Sequence, residues 1–299
     1  TNSGYFLWRR SLGTTGELPA GTSDAKVSAD GSTVAFVSSA VLLPEDVDGS
    51  VGTVYTYDVG TGALEAHTHL NVPGGGSYWI VGFDISPDGS KLAWLAIAAN
   101  QYQGYWKDLT TGTLHALPLG AWNHDVAFAG DGDSVLTLMF PGTHPINTTM
   151  QRITLATGAV ESFNMPADVR EFVSVSQDGR TATVLVSNDV HLVSLATQSW
   201  TRLIVDPPFS VVPYFSGRLT ADAMSALYAN RVVWVCRLPY QDCSMVNRTW
   251  NGDMPNDGLF TSALMSPDGR YVAIMTRATN MLDENVGPGH VYLIDRAQL

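Results

Sequence analysis

His124 and Asp125 stand side by side in Asn123–Phe128, a segment that alternates like a β-strand. Asp84 and Arg218 fall in two other segments of the same kind. An imidazole beside a carboxylate can relay a proton, and a guanidinium can hold a carboxylated sugar through paired hydrogen bonds. These four residues are therefore the candidate catalytic set, and the chemistry they suit is that of a polysaccharide lyase or hydrolase. The competing reading is plainer: polar residues at the ends of inner strands often do no more than solvate a water-filled channel. No Gly-x-Ser-x-Gly elbow is present, so a serine-hydrolase site of the α/β type is not expected.

A second group suits binding without chemistry. Trp79, Trp122, His144, Trp250 and His290 are the candidate ligand-binding residues, with Tyr78, Tyr102 and Tyr105 beside them. Exposed aromatic rings can stack on sugars or anchor a protein partner; buried ones merely pack. Glu45, Asp46 and Asp48 form one acidic loop and Asp283 heads another. Clustered oxygens suit Ca²⁺, although the spacing matches no EF-hand and acidic loops are commonly just solvated. No other cofactor is expected.

The elements that must position these residues come from a repeat. An Asp-Gly turn between two short apolar segments occurs at Asp30, Asp88, Asp131, Asp178 and Asp268, with a weaker copy at Asp222. The interval between copies is 43 to 58 residues, about that of a four-stranded propeller blade. Midway between copies, alternating strands end in a second turn: Thr61-Gly62, Thr111-Gly112, Thr157-Gly158 and, with Gln in place of Gly, Thr197-Gln198. Each blade therefore reads as strands A to D, with A–B joined at Asp-Gly and C–D at Thr-Gly. The expectation is an all-β chain, residues 1–299 forming a single β-propeller of four-stranded antiparallel blades. Six blades are preferred over seven, and the last is closed by strands from both chain ends.

Antiparallel connections alternate between the two ends of a blade. All A–B and C–D turns must then lie on one face, and all B–C and D–A connections on the other. The first set is short and uniform. The second reads as long and variable, which is where a rigid scaffold usually carries its binding loops. Any ligand is expected there, beside the central channel.

The net charge of −12, with three lysines in 299 residues, argues against nucleic acid and anionic membrane surfaces as partners. No apolar run is long enough to span a membrane. Cys236 and Cys243 flank a predicted hairpin loop, where facing positions can meet disulfide distances. A disulfide there points to an oxidising compartment: secreted, periplasmic or cell surface.

Ser86-Pro87-Asp88-Gly89 and Ser266-Pro267-Asp268-Gly269 resemble the core of the WD40-like, or PD40, repeat of TolB-type β-propellers. Ser28-Ala29-Asp30-Gly31 and Ser176-Gln177-Asp178-Gly179 are close variants, and the resemblance covers nearly the whole chain. It implies the propeller fold and, by analogy, a protein-binding module; related propellers also occur in peptidases and polysaccharide lyases. The resulting expectation is a non-enzymatic binding module for protein or carbohydrate, monomeric or part of a larger surface protein.

Overall fold

A computed structural model of the chain describes residues 6–9, 14–19, 21–44, 52–68, 78–98, 101–119, 123–139, 148–165, 169–176, 179–186, 189–202, 218–219, 225–229, 233–237, 242–246, 249, 251–256, 260–266, 268–281 and 290–298. Among them are 25 strands and one 3-10 turn, Arg296–Gln298, so the chain is nearly all β. No helix among the described residues is long and apolar enough to cross a membrane.

Two compact units form, one of Thr1–Phe128 and Gly132–Ser162, the other of Ala129–Asp131 and Phe163–Leu299. In the first, β1 (Phe6–Arg9) pairs with β2 (Thr14–Glu17). Three antiparallel meanders follow. They are β3 (Thr22–Val27), β4 (Thr33–Ser38), β5 (Thr53–Asp58) and β6 (Leu64–Ala66); β7 (Tyr78–Ile85), β8 (Lys91–Ala98), β9 (Gln101–Asp108) and β10 (Leu114–Ala116); and β11 (Asn123–Phe128), β12 (Ser134–Met139), β13 (Thr149–Thr154) and β14 (Val160–Asn164).

The second unit repeats the pattern. Its sheets are β15 (Val169–Val175), β16 (Thr181–Val186), β17 (Asp189–Ser194) and β18 (Ser199–Arg202); then β19 (Arg218–Leu219), β20 (Ser225–Ala229), β21 (Val233–Arg237) and β22 (Asp242–Met245). The last, β23 (Phe260–Met265), β24 (Tyr271–Thr276) and β25 (His290–Asp295), has three strands. The expected sharing of a final sheet by both chain ends is not among the described pairings.

The Asp-Gly turn folds by itself because its side chains complete its hydrogen bonds. The Ser86 hydroxyl donates to Asp88 at 2.6 Å and accepts the Lys91 N–H at 2.8 Å, while Asp88 also accepts the Ser90 N–H at 3.0 Å. Ser28 with Asp30 and Ser266 with Asp268 repeat this arrangement. The turn glycines sit at φ of +63° to +72°, which a Cβ disfavours. Burial pushes the Asp88 carboxyl up, but the Ser86 and Ser90 hydrogen bonds and the Lys91 charge outweigh it and hold it down to about 2.

The two kinds of turn do share one end of each sheet. A backbone bond joins them in four sheets: Val59 to Ser32, Leu109 to Ser90, Leu155 to Asp133 and Leu195 to Arg180, at 2.7–3.0 Å; in the last sheet the bond from Arg296 to Arg270 ties the 3-10 turn to the Asp-Gly turn in the same way. Between sheets the core is apolar. In the first unit Trp94, Leu92 and Phe83 pack with Ala35 and Val54, and Leu95 and Ala93 with Val126, Val135 and Ile153. In the second, Val233, Val235, Val272 and Ile274 do the same.

The other end is less uniform than expected. The B–C connections at 39–52, 140–148 and 277–289 are long. Those after β8 and β16 span two residues each, and that after β20 spans three. The B–C connections therefore differ in length from sheet to sheet.

Candidate functional site

The inner strands carry a device that no turn motif announced. In β3, β7, β11 and β23 the register slips by one residue, so that Ser23, Val81, His124 and Thr261 fall outside the one-to-one Cα pairing. Each lies five residues before the Ser or Ala that opens the Asp-Gly turn. A bulge breaks the ladder and re-aims the backbone, and bulges concentrate near binding sites. His124 is thus the bulged residue of its strand; for it and for Arg218 the structure describes the backbone only.

Asp84 has a structural task. Its carboxylate accepts the backbone N–H of Phe128 at 2.7 Å and lies 3.9 Å from Lys26 Nζ. The Phe128 N–H points to the open edge of β11, where no strand is available to receive it, so the carboxylate of the preceding sheet satisfies it. Asp125 is half-buried and accepts the N–H of its neighbour Val126 at 2.9 Å.

Trp79 stands at the loop-bearing end of β7 and is 61% exposed. Trp79 lies opposite Ile97, close to the two-residue connection between β8 and β9. Its neighbours correct the expectation for aromatics. Tyr78 is buried, and its hydroxyl donates to the Thr68 carbonyl. Tyr105 is half-buried and stacks on Trp94 at 5.8 Å. Alternation along one strand decides the matter, because successive residues face opposite sides. Trp122, His144 and Trp250 lie outside the described residues, and His290 is described as backbone at the start of β25, opposite Thr276. Glu45, Asp46, Asp48 and Asp283 also lie outside them, and no cluster of three or more metal-binding side chains occurs among the described residues. Cys236 is buried and pairs in register with Cys243 across β21 and β22.

Two polar groupings escaped sequence reading because their members are far apart or chemically ordinary. Thr56 Oγ1 lies 2.6 Å from His67 Nε2, Lys107 Nζ lies 3.0 Å from His67 Nδ1, and Lys107 donates to Glu65 at 2.9 Å. The set looks like an activated hydroxyl. The ammonium can only donate, however, so Nδ1 accepts and Nε2 carries the proton, directed at Thr56. His67 therefore cannot take a proton from Thr56, and the cluster ties two sheets together. In the second unit, Asn256 is held by the Thr279–Asn280 pair: its N–H donates to Asn280 Oδ1 at 2.9 Å, and its Oδ1 accepts the Thr279 N–H at 3.0 Å. This clamps the segment after β22 to the segment after β24 and pre-forms part of the loop-bearing end.

No family model matches the chain, and no curated protein does. Solved structures do. TolB from Acinetobacter baumannii matches with a TM-score of 0.55 at 16% identity, over 89% of this chain and 64% of that one. The β-propeller domain of the Trilobed protease from Pyrococcus furiosus, described as having an open velcro topology, matches at 0.58 and 13% identity, over 91% and 81%. The Cps50 (Swd1) β-propeller domain from Myceliophteria thermophila matches at 0.58 and 12% identity, over 94% and 85%. The chain spans less than two-thirds of the TolB structure it matches. At these identities the likeness shows the fold, a β-propeller.

Proposed function

We propose that this propeller, with six blades, is a binding module that recognises a protein or carbohydrate partner at its loop-bearing end, outside the cytoplasm. One observation carries the reading: Trp79 is 61% exposed on an inner strand at that end, where burial against a partner would remove a large apolar surface from water. The Asn256–Asn280 clamp supports it, because loops ordered in advance lose less entropy on binding. The paired positions of Cys236 and Cys243 support an oxidising compartment. Five four-stranded sheets and a sixth of three strands support the blade count. Engagement of Asp84 by the Phe128 N–H weakens the lyase or hydrolase alternative.

The test is a glycan array and a surface-protein capture run in parallel for the wild type and Trp79→Ala, with an assay for unsaturated uronate products with and without EDTA. Binding that falls at least tenfold in Trp79→Ala, with an unchanged melting temperature, is the expected result. Turnover of a uronate polymer by the wild type would sink the binding-only reading.

A further inference from the structure

Six residues after the turn aspartate, each sheet places a residue of its second strand opposite one of its third. In the first two full sheets these pairs are aromatic: Phe36 with Tyr55, stacked at 5.4 Å, and Trp94 with Tyr105. Tyr228 with Trp234 is a third aromatic pair, while Ile274 with Tyr292 and Val184 with His191 each set one ring beside an aliphatic side chain. In the sheet of β11 to β14 the pair is Thr137 with Gln151. Both are at least nine-tenths buried, at 0% and 9% exposure. Thr137 Oγ1 and Gln151 Oε1 find no hydrogen-bond partner among the described residues.

Their direction follows from the strand alternation. Thr137 is in phase with Val135 and Gln151 with Ile153, and both of those apolar residues pack against Ala93 and Leu95 of the preceding sheet. The two polar groups therefore face an apolar wall. Leaving such groups dry costs about 1–3 kcal/mol each. The side chains are also smaller than the aromatic pairs Phe36–Tyr55 and Trp94–Tyr105 at the equivalent positions. Cβ atoms of directly opposed residues lie about 4.5–5.5 Å apart, a separation one water can bridge by donating a proton to each oxygen.

We propose that Thr137 and Gln151 form an internal hydration site that holds one ordered water between the second and third four-stranded sheets. The ligand class is a small neutral molecule that can donate to the Gln151 oxygen and exchange a hydrogen bond with the Thr137 hydroxyl; an ion is disfavoured because neither side chain is charged and the wall opposite is apolar. The site lies two residues below Met139, whose partner Asn123 adjoins the bulge at His124, so the water forms a polar layer beneath that bulge.

Thr137→Val tests this, since the shape is kept and the hydroxyl is lost. If a water is held, the variant strands it with one partner, and the melting temperature falls by about 2–4 °C. If the site is dry, the same change removes an unsatisfied buried hydroxyl, and the melting temperature rises or stays. A crystal structure of the wild type at high resolution supplies the second measurement: a density peak within hydrogen-bond distance of both Thr137 Oγ1 and Gln151 Oε1 is expected. A direct Thr137–Gln151 hydrogen bond, or no peak, would overturn the proposal.

Discussion

The Asp84 carboxylate accepts the backbone N–H of Phe128 at 2.7 Å, across 44 residues of chain and from one sheet to the next. A residue of a catalytic type is thereby committed to holding two inner strands together. Asp84→Ala removes a hydrogen bond to a charged acceptor and leaves a strand-edge N–H without a protein partner. The expected loss is about 1.5–3 kcal/mol in urea unfolding, with Asp84→Asn losing less because an oxygen acceptor remains. A loss of function from Asp84→Ala without a loss of stability would restore the catalytic reading.

The turn aspartates set an acid limit on stability. The Asp88 carboxyl is held at about 2 in the folded chain, against about 3.9 when unfolded. Asp268 is lowered mainly by the Ser266 hydroxyl and the Arg270 N–H; in Asp30, hydrogen bonds from Ser28 and Ser32 overcome the opposing effect of burial. Because the folded values are depressed, their contribution is present above about pH 4 and is lost as pH falls toward about 2. Urea midpoints measured through that window should decline, and Asp88→Asn should make the decline shallower.

Gln198 occupies the place that glycine holds in three other Thr-Gly turns, and it takes φ of +50°. A side chain in that region costs up to about 1 kcal/mol relative to glycine. Gln198→Gly should therefore raise the melting temperature by about 1–3 °C in calorimetry. A fall would mean that the Gln198 side chain makes a contact worth more than the backbone strain.

Cys236 and Cys243 face each other across β21 and β22. The protein purified without reductant should have an intact mass about 2 Da below that of the reduced protein, the signature of one disulfide. Reduction, or Cys236→Ser, should cost about 2–3 kcal/mol, the value for closing so short a loop. Identical masses before and after reduction would remove this support for an oxidising compartment.

Among the candidate residues, the chain's own order settled little. Trp79 and Tyr78 are adjacent and chemically alike, yet one is 61% exposed and the other 1%. Nothing in the pair itself says which faces water; the face of the strand on which each falls decides it. The bulges at Ser23, Val81, His124 and Thr261 recur in phase but have no shared residue type, so they are invisible until the pairing is seen.

The repeat was legible because its physics is local. The hydroxyl of Ser86, the carboxyl of Asp88 and the N–H of Lys91 lie within six consecutive residues and complete one another's hydrogen bonds wherever that segment occurs. The turn types and the end of each sheet at which they lie follow from that spacing. The link from Asp84 to Phe128, the Thr56–His67–Lys107 cluster and the unpaired Thr137 and Gln151 depend on sheets meeting face to face. Such contacts join residues tens of positions apart, and only packing brings them within hydrogen-bond range or leaves them out of it.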